Sequence, residues 1–241
     1  MAVLNWREVT DEEYGVIGNP IAHSWSPRLF KAAFEAAGLP YRYVAIHCDD
    51  EEFEEAIAFL STRMQGLNVT APFKMRVEES LGQNFLQPCN VIYFPTLTAD
   101  NTDCRGLALA LGRLGLGGRT LVLGAGGAAR SAIQGVSPMP VFNWNRKGVV
   151  FDDAPPVPPC TGGFHLVINA TGSVPDLIWE GTGVAMDLSY GFVPTPFMHT
   201  ARQNGWSAVD GREMLLFQAG LSYAFWLSTC PPFDVMREAL P

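Results

Sequence analysis

The sequence predicts an α/β fold in two parts. The first is an N-terminal α/β domain on a mostly parallel sheet. The second is a doubly wound, Rossmann-like nucleotide domain, and C-terminal helices are expected to pack back on the first. Three observations predict this. Short apolar runs alternate with helix-period segments from Tyr14 to Val69. A loop, Gly124-Ala125-Gly126-Gly127-Ala128-Ala129-Arg130, follows the apolar run Leu121-Val122-Leu123 and precedes a helix-forming stretch. From Arg212 onward, Met214, Leu215, Gln218, Ala219, Tyr223 and Phe225 suggest a final long helix. The expected domains are 1–105 with 212–241, and 106–211, the main boundary lying in the helix around Gly106.

Tyr14 to Gly18 reads as a buried strand ended by Gly18-Asn19-Pro20. Ser26 caps the next helix, Pro27 takes its first position and Gly38 closes it. Tyr41 to Ile46 is a strand. Glu51 to Leu60 is a helix, because Phe53, Ile57 and Leu60 recur at helical spacing. Gly66 to Val69 completes a β-α-β-α-β order. A helix from Gly106 to Leu114 then leads to the strand Thr120 to Leu123. A helix from Ala128 and strands over Val141 to Trp144, Leu166 to Asn169 and Val184 to Leu188 complete the second half.

The chain has 241 residues, 48% hydrophobic and 17% charged, enough to bury one large or two modest cores and unlike a disordered or fibrous chain. A formal net charge of −8 argues against nucleic acid, whose phosphates need basic surface. Cys48, Cys89, Cys104, Cys160 and Cys230 are odd in number and form no C-x-x-C pair. That argues against a disulfide framework or metal site and for a reducing cytoplasm. Met1 to Tyr14 has no apolar core of a signal peptide, and Phe217 to Leu227 is too short to span a bilayer. The expected partners are a small-molecule substrate and a nucleotide, with no nucleic acid and no membrane, in a monomer or homodimer.

Glycines at a strand-to-helix turn let the backbone approach a pyrophosphate, and the helix N-terminus favours the anion. A tight turn in an ordinary α/β domain would use the same glycines. The strand before and the helix after select the nucleotide reading. At the end of the next strand, Asn145-Arg146-Lys147 places two cations where an acidic residue would bind the ribose of NAD. That favours NADP; a solvated basic turn is the alternative.

Asn68-Val69-Thr70-Ala71-Pro72-Phe73-Lys74 is a strand-like run that stops at proline and then presents a lysine. Asn101-Thr102-Asp103 supplies a carboxylate able to pair with it. Ser24, Ser26, Asn68, Thr70, Asn90, Asp103 and Gln218 are polar residues beside apolar elements. Each alone reads as a satisfied buried polar group; together they offer donors and acceptors to a polyhydroxylated molecule. A lysine, a carboxylate and a dinucleotide loop in that order suggest a redox enzyme acting on a small polar molecule. A structural ion pair is the other reading of Lys74 and Asp103.

Gly15 to Pro27, Asn68 to Lys74, Asn101-Thr102-Asp103, Gly124 to Arg130, Asn145-Arg146, Asn169-Ala170-Thr171, Asp187-Leu188-Ser189-Tyr190 and Asp210 to Leu215 run in order along nearly the whole chain. With these segments the sequence resembles the shikimate dehydrogenase family. The resemblance implies reversible NADPH-linked reduction of 3-dehydroshikimate to shikimate, a step of aromatic amino acid and chorismate biosynthesis. It implies Lys74 and Asp103 as the catalytic pair. Ser24, Ser26, Thr70, Asn90, Asp103, Tyr190 and Gln218 would hold the ring hydroxyls and carboxylate. Gly124, Ala125, Gly126, Gly127 and Ala128 would cradle the pyrophosphate, with Asn145, Arg146 and Lys147 at the adenosine phosphate and Leu188 and Gly211 near the nicotinamide.

Four departures from the family pattern carry expectations; in the first, Asn90 aligns but sits in Pro88-Cys89-Asn90-Val91-Ile92, where the family usually has Ala-Val-Asn-Thr. The family continues after Arg146 into a helix with a second basic residue. Here Lys147-Gly148-Val149-Val150-Phe151 and a stretch holding Pro155, Pro156, Pro158 and Pro159 predict a loop in its place. Cys104 stands where the family has glycine, a strained exchange only if the site needs a positive φ. Leu188 stands where methionine is common. The competing readings are a quinate-oxidising paralogue that uses NAD and a non-catalytic nucleotide-binding homologue.

Overall fold

Strands buried on both faces read as continuous apolar runs, and the central strands of both sheets are of this kind. A computed structural model describes residues 3–10, 13–82 and 88–241. The chain divides into two units, Met1–Thr102 with Gln218–Pro241, and Asp103–Phe217.

The first unit begins with β1 (Val3–Asn5), β2 (Tyr14–Gly18), α1 (Ser26–Ala36), β3 (Tyr43–His47), α2 (Phe53–Leu60) and β4 (Gly66–Val69). It continues with α3 (Val77–Ser80), β5 (Val91–Tyr93) and β6 (Thr98–Asp100). The sheet order is β1-β3-β2-β4-β5-β6. The first four of these are parallel, and β5 runs antiparallel to both its neighbours. Residue parity decides which helix covers which face. Ile17, Ile46, Leu67 and Val69 join Phe53, Ile57 and Leu60 of α2 in one apolar cluster. Tyr14 and Tyr43 point the other way: Tyr14 meets Phe34 at a ring-centroid distance of 5.3 Å, and Tyr43 stacks on Phe30 at 4.2 Å. The chain thus leaves β2 through α1, crosses back after β3 through α2, and re-enters beside β2 as β4. The carboxyl ends of β2 and β4 form the switch point where loops diverge.

The second unit is built from α4 (Thr102–Leu114), β7 (Thr120–Leu123), α5 (Gly127–Val136), β8 (Val141–Trp144) and β9 (Leu166–Asn169). β10 (Val184–Asp187), α6 (Pro196–Gln203), β11 (Ser207–Val209) and the start of α7 (Arg212–Leu227) complete it. Its sheet is fully parallel in the order β11-β10-β9-β7-β8, with the switch point between β7 and β9. The rest of α7 and α8 (Phe233–Glu238) belong to the first unit. As expected of the C-terminal helices, they pack on it: Trp226 lies 4.8 Å from Tyr14, Tyr223 6.0 Å from Phe34, and the Trp226 indole donates to the Ile92 carbonyl at 2.8 Å. A buried indole needs that partner for its N–H.

Several sequence expectations shift. Ser26 is the first residue of α1 rather than its cap, and no side chain caps that helix; Gly38 does close it, at φ 64°. The second strand starts at Tyr43, not Tyr41, because it pairs in register with Tyr14. The first turn of the next helix is a separate 3-10 turn over Asp50–Glu52. The helix expected from Gly106 starts at Thr102, so Cys104 has helical backbone and the glycine exchange carries no positive-φ strain. The long helix expected from Arg212 is α7, and the short helix α8 follows it beyond Pro231 and Pro232. The short strands β1, β5, β6 and β11 are too brief to show a period.

The proline-rich connection between β8 and β9 contains no helix, as expected. Its apolar side chains cover the sheet instead. Phe151 and Ala154 join the cluster of α4 and α5, and Phe164 joins that of α6. Phe151 is buried and also carries the Arg130 guanidinium at 4.9 Å. Phe151→Ala is therefore expected to cost about 3 kcal/mol, as for an aromatic removed from a core. Urea unfolding of the variant measures this; an unchanged midpoint would mean the connection is not part of the core.

Candidate active site

The loops after β2 and β4 are drawn together at the first switch point. The Asn19 N–H donates to the Ala71 carbonyl at 3.0 Å. A Cβ on Gly18 would run into the Thr70 methyl, so any side chain there would force Thr70 to shift. Ser24 and Ser26 follow β2, and the Ser24 hydroxyl oxygen accepts the Ser26 N–H at 3.3 Å. The hydroxyls of Ser26 and Thr70 form no hydrogen bond among the described residues. Lys74, half-buried, sits in a 3-10 turn, Phe73–Met75, directly past the carboxyl end of β4.

Behind these loops lies a buried polar network. The Asn68 carboxamide oxygen accepts from the Tyr43 hydroxyl at 2.8 Å; its nitrogen donates to the Asn90 carbonyl at 3.0 Å and to Ser222 Oγ at 2.9 Å. Asn90 Oδ1 accepts the Thr102 N–H at 2.7 Å, and its Nδ2 donates to Thr102 Oγ1 at 3.0 Å and to Gln218 Oε1 at 3.3 Å. Ser222 Oγ donates to the Gln218 carbonyl at 3.0 Å. Two of the expected substrate residues, Asn90 and Gln218, are thus brought into contact with each other; Thr102 and Ser222 link them further and Tyr43 joins through Asn68, roles that sequence reading did not assign. Thr102 and Ser222 carry no family-independent signal; each is simply a small hydroxyl on a helix.

In the second unit Gly124 has φ 127°, and a Cβ there would press on the Ala170 carbonyl at 3.1 Å, so the loop passes between β7 and β9 only as glycine. Asn143 of β8 holds it from below, donating to the Val122 and Gly124 carbonyls at 2.9 and 3.0 Å. Gly126 and Gly127 open α5, leaving N–H groups of its first turn toward the loop. Asn145 spends its amide on its own turn. Its nitrogen donates to Asn143 Oδ1 and the Val149 carbonyl, and its oxygen accepts the Lys147 and Val149 N–H groups. Asn145 therefore shapes the turn, and Arg146 and Lys147 stand exposed on it.

At the ends of β9 and β10, Asn169 and Asp187 organise the next loops. Asn169 Oδ1 accepts the Thr171 N–H at 3.1 Å, and its Nδ2 donates to Asp187 Oδ1 at 3.3 Å. Thr195 Oγ1 donates to Asp187 Oδ2 at 2.6 Å. Burial pushes the Asp187 carboxyl above the usual range, and these donors work against that push. Gly211 lies against the Leu188 carbonyl, where no side chain would fit, so those two expected nicotinamide-side residues are adjacent. Tyr190 is half-buried, and Asp103 is buried in the first turn of α4. Burial lifts the Cys48 and Cys89 thiols to about 12, leaving them poor nucleophiles.

Because Asn68 satisfies three buried partners, Asn68→Ala is expected to cost about 2 to 3 kcal/mol, the scale of orphaned buried polar groups. Thermal or urea unfolding checks this; a neutral result would mean the network contributes nothing net.

A family model described as the shikimate dehydrogenase substrate binding domain matches residues 16–83. A shikimate dehydrogenase (NADP(+)) of Chromohalobacter salexigens is 34% identical, the alignment covering 96% of this chain and 98% of that protein. One from Archaeoglobus fulgidus is 32% identical, covering 93% and 96%. Among solved structures, shikimate 5-dehydrogenase from Thermus thermophilus in complex with NADP(H) and shikimate superposes with a TM-score of 0.78 at 26% identity, over 95% of this chain and 98% of that one. Ordered motifs, fold and full-length similarity agree, and the chain belongs to the shikimate dehydrogenase family.

Proposed function

We propose that this protein catalyses the NADP-dependent, reversible reduction of 3-dehydroshikimate to shikimate, with Lys74 and Asp103 as its catalytic pair. The observation that carries the residue assignment is the place of Lys74. It stands past the carboxyl end of β4, at the switch point where an open α/β sheet binds its ligand, on the same rim as Ser24, Ser26 and Thr70. The relatives named above carry the same activity in their names.

In this reading the hydroxyls of Ser26 and Thr70, with Ser24, bind ring hydroxyls and the carboxylate. Asn90, Gln218 and Tyr190 add amide and phenol groups. NADPH supplies the hydride when bound. The glycine loop fits its pyrophosphate, since a side chain at Gly124 would crowd the turn between β7 and β9. As charge builds on the substrate oxygen, Lys74 donates a hydrogen bond and then its proton; in oxidation a neutral Lys74 takes the hydroxyl proton back. Asp103 orients the lysine ammonium. Asn145 shapes the turn from which Arg146 and Lys147 meet the adenosine 2′-phosphate, and Leu188 and Gly211 line the nicotinamide side.

Lys74→Ala is expected to lower kcat by about a hundredfold to ten-thousandfold, the range for a general acid–base group, with little change in KM. Steady-state kinetics with shikimate and NADP measure this; near-normal turnover would sink the assignment. Arg146→Ala is expected to weaken NADPH binding by about tenfold or more, the scale of one charge-assisted hydrogen bond, and to leave NADH binding unchanged. Fluorescence titration reads both. An equal loss for the two cofactors, or a native preference for NAD, would contradict the phosphate role.

A further inference from the structure

The turn that carries Lys74 is clamped from outside the site. Its first residue, Phe73, is fully buried and stacks on Phe53, the first residue of α2, at 4.4 Å and 6°. The residue after the turn is Arg76, whose guanidinium lies 5.2 Å from the Phe53 ring and 5.7 Å from the Phe73 ring. Arg76 Nε donates to Glu54 Oε1 at 3.0 Å, and Nη2 donates to Glu54 Oε2. Arg76 Nη1 donates to the Asp50 carbonyl and to Asp50 Oδ1, each at 2.7 Å. On the other flank, the Cys89 N–H donates to the Lys74 carbonyl at 2.9 Å. The backbone of Lys74 is therefore held between a loop on one side and the N-terminal turn of α2 on the other.

The clamp is more specific than stability alone requires. An isolated surface ion pair contributes little to folding, whereas a two-point guanidinium–carboxylate contact fixes orientation as well as charge. The same stretch supplies a comparison. Arg7 pairs with Glu52 at 2.9 Å and with Glu55 at 3.5 Å without touching the lysine turn. The anchor for Arg76 is firm, since α2 buries Phe53, Ala56, Ile57 and Leu60. Arg76 in turn holds the Glu54 carboxyl below the usual carboxylate range through their hydrogen bond.

We propose that Arg76 is a positioning residue for Lys74: by locking the turn to Asp50 and Glu54, it sets where the lysine ammonium meets the reacting oxygen. The inference rests on the reading of Lys74 as catalytic. A misplacement of the order of 1 Å costs as much as about a hundredfold in rate, so Arg76→Ala is expected to lower kcat about tenfold to a hundredfold. KM for shikimate and for NADP should stay nearly unchanged. Arg76→Lys restores only part of the loss, because an ammonium lacks the fork. Glu54→Gln gives a smaller loss, and adding it to Arg76→Ala slows the enzyme no further, since both act through one contact. Arg7→Ala leaves kcat unchanged.

Steady-state kinetics of these variants, with Lys74→Ala in parallel and circular dichroism to confirm folding, form the test. Near-normal turnover in Lys74→Ala would remove the catalytic reading itself. An inactive Lys74→Ala beside full kcat in Arg76→Ala would overturn the clamp alone. Should Arg76→Ala fail to fold, Arg76→Lys and Glu54→Gln decide, and full kcat in both would overturn the proposal.

Discussion

The first unit depends on one buried amide. Asn68 lies within β4 and is buried, so its donors and acceptor must be matched inside the protein. It matches them with β3 through Tyr43, with the start of β5 through the Asn90 carbonyl, and with α7 through Ser222. A strand fixed to two neighbours and a distant helix leaves its end little freedom. The next residues, Val69 and Thr70, bond to Asn90 and Ile17 and deliver the chain to the turn of Lys74. The lysine is therefore placed by a network that contains none of the reacting atoms.

This explains why part of the site is legible in the sequence and part is not. Lys74, Gly124 and the serines after β2 sit at strand ends, where a break in apolar pattern followed by a polar residue is visible in one dimension. The strands β2, β4, β7, β8 and β9 are legible at their observed bounds because buried runs ended by glycine, asparagine or proline leave sharp edges. The roles of Thr102 and Ser222 are not legible, because their partners lie far off in sequence. Ser26 has the local look of a cap, a serine before proline, but it stands inside the helix. The helix has no side-chain cap, and the Ser26 N–H donates to the Ser24 hydroxyl two residues earlier.

Asn145 shows a related limit. Its motif marks the cofactor strand, but the motif alone does not distinguish a side chain that touches a ligand from one that shapes the turn. Its hydrogen bonds to Asn143, Lys147 and Val149 stay within its own strand and turn. The proline-rich connection that follows is legible in its lack of helix and illegible in its packing. Phe151, Ala154 and Phe164 cover the second sheet without a helix, as parts of its two apolar clusters.

The central claim is that Lys74 exchanges the proton at one ring oxygen of the substrate. The most direct measurement is a crystal structure of the protein with shikimate bound, read for the distance from Lys74 Nζ to the nearest ring hydroxyl oxygen. The account predicts a hydrogen bond of about 2.6 to 3.2 Å, the reach required of a proton-transfer group. A bound shikimate whose hydroxyls all lie beyond that reach, with Lys74 turned toward another partner, would contradict it.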